Sequence, residues 1–261
     1  MSILTFIQAA APAAAAAAEA EAKNKFGLVE ALNEGGAISW SIFIVLVIMS
    51  IGSFYILFTK LLEQQKVMGQ LKAVSSGFWR ANTLEEGAAK LDKNSAYRQL
   101  VDDGIAAQRQ HGLLTDPVEA HDWLHGAMTR SEESINNKLN SGLSFLASVG
   151  AVSPFVGLLG TVIGIYSALI KIGIAGQASI DAVAGPVGEA LIMTAIGLFV
   201  AVPAVLAYNW LQARNKTIQR SLSAFSNDVL GYISSQGKLR PAVTAAPAAR
   251  PAAAAAAPVK K

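Results

Sequence analysis

Residues 185–206 read GPVGEALIMTAIGLFVAVPAVL: one acid, Glu189, at the head of an apolar run of membrane-spanning length. A helix crosses the ~30 Å of bilayer hydrocarbon in about 20 residues. A charged side chain inside such a helix costs at least ~2.5 kcal/mol, so an acid kept there is a functional candidate. The reading of this stretch as a span sets the fold, and the rest of the chain falls into place around it.

Two further runs have the same character. Residues 38–58, ISWSIFIVLVIMSIGSFYILF, are uncharged over 21 positions, with Trp40 at one end and Tyr55 and Lys60 toward the other as interfacial anchors. The second, LSFLASVGAVSPFVGLLGTVIGIYSALI, runs over 143–170. Prolines inside the second and third spans, Pro154 and Pro203, predict kinks, which membrane helices tolerate where neighbours satisfy the freed carbonyl. The expected fold class is all-α: a polytopic membrane protein with three transmembrane helices, long helices extending into the cytoplasm, and a homo-oligomeric bundle.

Composition agrees. Of 261 residues, 52% are hydrophobic and 15% charged, with a mean hydropathy of +0.40; a soluble domain carries about 25% charged residues. There is no cysteine, so disulfides, thiolate metal sites and Cys nucleophiles are excluded. The tail from Asn209 holds eight Lys/Arg against Asp228 alone, which favours anionic lipid as a partner over nucleic acid.

The expected organisation, in order, is an Ala-rich extension with an amphipathic segment over 1–37, a first span over 38–60, and a cytoplasmic helical domain over 61–140. A second span over 141–171, a short connection over 172–185 and a third span over 186–208 follow. A cytoplasmic helix over 209–240 and a disordered Pro/Ala tail over 241–261 complete the chain. The first Lys is at 23, so the extension lacks the basic start of a secretory leader. In the middle region Thr83 with Glu86, and Asp116 with Pro117 and Glu119, form helix-start signatures. No stop signal stands out after Pro117, which predicts one helix running on into the second span. Lys60, Lys66 and Lys138 flank the middle region and Arg214, Lys216 and Arg220 follow the third span. Positive-inside logic then puts the N-terminus in the periplasm and the C-terminus in the cytoplasm.

The second span carries small residues at Gly150, Ser153, Gly157, Gly160, Gly164 and Ser167, and the third at Ala190, Thr194, Gly197, Ala201 and Ala204. Steps of three and four make each set one stripe on a helix, and small stripes let membrane helices pack backbone to backbone. Gly157, Gly160, Gly164, Gly197 and Ala201 are therefore the expected packing positions. Three spans are too few to enclose a polar path, which predicts association between copies. Of the polar groups in the two spans, Thr161, Thr194 and Glu189 are the candidates for a polar path. Glu189 and Thr194 are about 140° apart around a helix and ~7.5 Å along it, so a path using both is shared between helices or subunits. A carboxyl group in such a place can hold a proton and hand it on. The plain reading of each Thr is packing, its hydroxyl bonded to the carbonyl one turn back.

No nucleotide-binding motif, nucleophile elbow or cofactor signature is present, and the chain is not expected to be an enzyme. His121 and His125 share a helix face, but Asp122 stands where a zinc peptidase has Glu and no third ligand is evident, so no metal is expected. A solute transporter would want internal repeats and more spans; a passive scaffold for partner helices stays open.

SPFVGLLGTVIGIYSALI from Ser153 and AGPVGEALIMTAIGLFVAVPAVLAYNWL from Ala184 together resemble the paired signature of the MotA/TolQ/ExbB proton-channel family, its ExbB branch more than its TolQ branch. The similarity is specific over 153–214. It implies a proton pathway through Thr161, Glu189 and Thr194 and a homopentamer in the bacterial inner membrane. It also implies an ExbD-like single-span subunit bringing a membrane Asp, and a TonB-like protein that carries proton-motive force to outer-membrane transport. The Ala-rich extension and the Pro/Ala tail depart from the commonest pattern of the family.

Overall fold

The computed structural model describes residues 29, 32–33, 36–115, 119–175 and 180–241; the side chains at 72, 73, 75, 76, 171, 175, 180–186 and 189 fall outside the description. The extension over 1–25, the Asp116–Pro117 helix start and the tail beyond 241 therefore lie outside the described residues. From Gly36 on, the described residues form, in order, the α-helices α1 Gly36–Gly77, α2 Leu84–Ala89, α3 Ala96–His111, α4 Ala120–Asn140, α5 Leu143–Ala175 and α6 Ile180–Ser234, with a 3₁₀ turn at Phe78–Arg80. No strand occurs among the described residues. Among the described residues, three helices carry stretches long and apolar enough to cross a membrane.

The chain divides into two compact units. One takes the described residues up to Leu62 together with Asn140–Arg214; the other takes Glu63–Leu139 and the described residues from Asn215 onward.

The first unit holds the three apolar stretches. Its core is Ile42 and Leu46 of α1, Leu143, Leu146 and Val149 of α5, and Val200, Ala204, Ala207 and Leu211 of α6. Its surface carries large apolar side chains too: Ile48, Ile51, Phe155, Val162, Leu191 and Phe199 are all exposed. That is the composition of a helix bundle whose solvent is lipid.

The second unit is built as a soluble domain is, on amphipathic helices. Leu100, Val101 and Ile105 of α3 and Leu124, Met128, Ile135 and Leu139 of α4 pack on Ile218, Leu222, Phe225 and Val229 of α6. Phe78, Trp79 and Tyr97 stack edge-on or tilted against Phe225 at 5.2–5.9 Å between ring centroids. The start of α2 is a side-chain cap: Thr83 Oγ accepts from the Glu86 N–H at 3.2 Å, while Glu86 accepts the Asn82 N–H at 3.0 Å. The reciprocal bond thus goes one residue upstream of the N-cap.

Two boundaries differ from the sequence expectation. The helix read as continuous from Pro117 into the second span breaks at Ser141–Gly142, where Gly142 takes φ +83°; a left-handed residue ends an α-helix, and glycine is the residue that does so without strain. The third helix begins at Ile180, inside the stretch read as a connection, and runs without interruption to Ser234. Propensity and apolar length mark where a helix can be, while its ends depend on local hydrogen bonding.

Candidate functional site

Helices α5 and α6 of the first unit meet along their small residues. A methyl carbon placed on Gly157 would stand 2.7 Å from the Met193 carbonyl and 3.1 Å from the Cα atoms of Gly197 and Thr194. One on Gly197 would stand 2.6 Å from the Ser153 carbonyl and 3.0 Å from the Gly157 Cα. Farther along, a methyl on Gly160 would stand 2.9 Å from the Met193 Cβ and one on Gly164 3.0 Å from the Ala190 Cβ; at the other end, one on Gly150 would run into the Val205 side chain. Partner numbers fall from 205 to 190 as α5 numbers rise from 150 to 164, so the two helices run antiparallel. Only backbones without Cβ atoms between them approach this closely.

This register fixes the level of each candidate polar residue. Thr161 follows Gly160, which touches Met193, and Thr194 follows Met193 on α6. Glu189 precedes Ala190, which touches Gly164, one turn beyond Gly160 on α5. The backbones of Thr161, Thr194 and Glu189 thus gather within about two helical turns of one stretch of the pair. Thr194 shares the packed ridge with Ala190 and Gly197, whereas the Glu189 Cα lies about 100° around α6 from that of Ala190; its side chain is outside the description.

Thr161 is 5% exposed, and its hydroxyl donates to the Leu158 carbonyl at 2.7 Å. The donor is thereby used within α5, and the oxygen's lone pairs are what Thr161 can offer a neighbour. Thr194 is half-buried. Ala201 is 5% exposed and Ala204 1%, continuing the buried side of α6. Pro154 lies inside α5 and Pro203 inside α6.

Met193 escapes the sequence reading, because a stripe sought by small side chains passes over it. Its position three residues after Ala190 and four before Gly197 was the available signal. Ser153 is fully buried beside Gly197, and its hydroxyl has no partner among the described residues. In the second unit the His121 and His125 rings lie 6.3 Å apart, centroid to centroid. Among the described residues no three His, Asp or Glu side chains are grouped as metal ligands.

The family profile described as "MotA/TolQ/ExbB proton channel family" matches residues 93–224. A protein named biopolymer transport protein ExbB, from Xanthomonas campestris pv. campestris strain B100, is 37% identical over 214 residues, covering 78% of this chain and 85% of its own. Another of that name, from Neisseria meningitidis serogroup A, is 34% identical over 202 residues, 75% of this chain and 92% of its own. The Tol-Pal system protein TolQ of Pseudomonas aeruginosa is 32% identical over 195 residues, 72% and 84% of the two chains.

Proposed function

Because the chain belongs to the MotA/TolQ/ExbB proton channel family, we propose that it is the stator subunit of an ExbB–ExbD-type motor in the bacterial inner membrane. In this reading it couples proton-motive force through a TonB-like protein to active transport across the outer membrane. The observation that carries the reading is the gathering of Glu189, Thr161 and Thr194 along one stretch of the α5–α6 pair, inside the apolar unit. Glu189 takes up and releases the proton, and the Thr161 oxygen, its own proton engaged on Leu158, accepts from the chain of groups or waters that carries it. One charge moving down 100 mV releases ~2.3 kcal/mol, the energy available to move a partner helix.

Copies of the chain, five by family pattern, associate through the exposed apolar faces of α5 and α6 around single-span ExbD-like helices. The N-terminus lies in the periplasm, and the second unit and the basic tail lie in the cytoplasm, near anionic lipid. A TolQ-like role in envelope integrity is the second reading, favoured by the Pseudomonas relative; the Xanthomonas and Neisseria meningitidis ExbB proteins match at higher identity than it does, over a greater share of the chain.

The test is Glu189→Gln in the complex with its partner subunit. Proton flux into liposomes under an imposed potential is expected to fall at least tenfold, and energised uptake of iron complexes to stop at normal protein levels. Undiminished flux and uptake would show a passive scaffold instead, in which case Gly160→Leu, which blocks the seam, is the change that abolishes activity. Rescue of a TolQ-deficient strain but not an ExbB-deficient one selects the second reading.

A further inference from the structure

Pro203 lacks an N–H, so the Phe199 carbonyl one turn before it in α6 has no helical donor. In water such a carbonyl is hydrated; inside a membrane span it must find a partner within the protein. Phe199 and Pro203 also border a small cavity of the first unit, together with Ala204 of α6, Ser50 and Ser53 of α1 and Leu146 of α5. Its volume is about 10 Å3, room for a single water-sized sphere. The lining is apolar apart from the two hydroxyls and backbone.

We propose that one water molecule is built into the membrane bundle at this point, bridging the Phe199 carbonyl of α6 to Ser50 and Ser53 of α1. The hydrogen bonds are complementary. Ser53 is 7% exposed and already donates its hydroxyl proton to the Met49 carbonyl at 2.8 Å, so toward the cavity it can only accept. The water donates one hydrogen to Ser53 Oγ and the other to the Phe199 carbonyl, and it accepts from the Ser50 hydroxyl. Three bonds are the usual complement of a buried water. Ser53 cannot serve the carbonyl directly without giving up Met49. The carbonyl at Pro203 thus has an exchangeable partner, and α6 can bend or straighten there while the water keeps it bonded to α1.

Two measurements on the full chain in lipid nanodiscs test this. The first is a mutant cycle on thermal unfolding. Ser50→Ala with Ser53→Ala is expected to lower Tm by several degrees in the native background. In Pro203→Ala, where residue 203 again has an N–H for Phe199, the same pair of changes is expected to shift Tm by a degree or less. Equal shifts in the two backgrounds overturn the proposal. The second needs no substitution at the site and stands if Pro203→Ala does not fold. With carbonyl-labelled Phe and amide-labelled Val, the Phe–Val pairs are Phe155–Val156 and Phe199–Val200. Val156→Leu removes the first and assigns the signals. Water-edited solid-state NMR should then show faster transfer from water to the Phe199 carbonyl than to that of Phe155, which sits on an uninterrupted helical turn. Transfer no faster than at Phe155 overturns it.

Discussion

A hydroxyl inside an apolar helix has few acceptors within reach, and Thr161 takes the nearest, the Leu158 carbonyl. That bond makes Thr161 compatible with a dry helix interface, and it also leaves an oxygen able to accept. The side chain serves packing and leaves a proton carrier something to bind. Tyr97 shows the opposite economy in the second unit. It is 1% exposed among Phe225 and the α3–α6 core, and burial pushes its phenol up to about 12. An unfolded Tyr ionises near pH 10. Between about 10 and 12 the unfolded chain therefore releases this proton while the folded one keeps it, and stability falls as pH rises through that window. Two units of difference correspond to roughly 2–3 kcal/mol. Thermal unfolding followed by near-UV circular dichroism should show a loss of stability from pH 10 to 12 that is shallower in Tyr97→Phe. An unchanged slope would mean that the phenol is hydrated in the folded state.

At the scale of elements, the α5–α6 pair depends on two glycines standing opposite each other. Gly197 and Gly157 meet so closely that a methyl on Gly197 would enter the Ser153 carbonyl at 2.6 Å. Neither atom is the free end of a flexible side chain, so the helices must separate to admit it. Gly197→Ala is expected to cost about 1–3 kcal/mol by overpacking, measured as a lowered Tm of the detergent-solubilised full chain. Gly173, which meets nothing within 4 Å, is the control, and Gly173→Ala should leave Tm almost unchanged. A Gly197→Ala variant as stable as the native chain would show that the seam yields. The break between α4 and α5 follows from the same geometry. Gly142 in the left-handed region stops α4, its carbonyl then accepts from Phe145 and Leu146 to start α5, and a methyl placed on it would stand 3.3 Å from the Ile56 side chain.

At the scale of the whole molecule, contacts distant in sequence fix each unit. In the second unit the Gln64 amide donates to the Asn215 side-chain oxygen at 2.7 Å, and Asn215 donates in turn to the Leu139 carbonyl at 3.1 Å. Gln64 is 0% and Asn215 3% exposed, so α1, the end of α4 and α6 are joined by polar bonds shielded from water. Asn215→Leu takes a partner from both neighbours and should cost about 1–3 kcal/mol for each buried group left short. Adding Gln64→Leu should recover part of that loss in Tm; a double variant no better than the single would show that Gln64 has adequate partners without Asn215. The three apolar helices were legible in the sequence because bilayer thickness fixes the length of a span whatever its neighbours are. The Thr83 cap was legible because it is made within four residues. The residue types of the candidate site were legible because an acid and two hydroxyls stand out in apolar runs. Tertiary structure alone decided that Gly157 faces Gly197 in an antiparallel register, that Met193 lies in the seam, and that Gln64 finds Asn215. It alone brings Ser50 and Ser53 of α1 to one cavity with Phe199 and Pro203 of α6. Periodicity along one helix names the face that packs, but which residue of another helix it meets is settled only when backbones close to contact distance and each polar atom finds its partner.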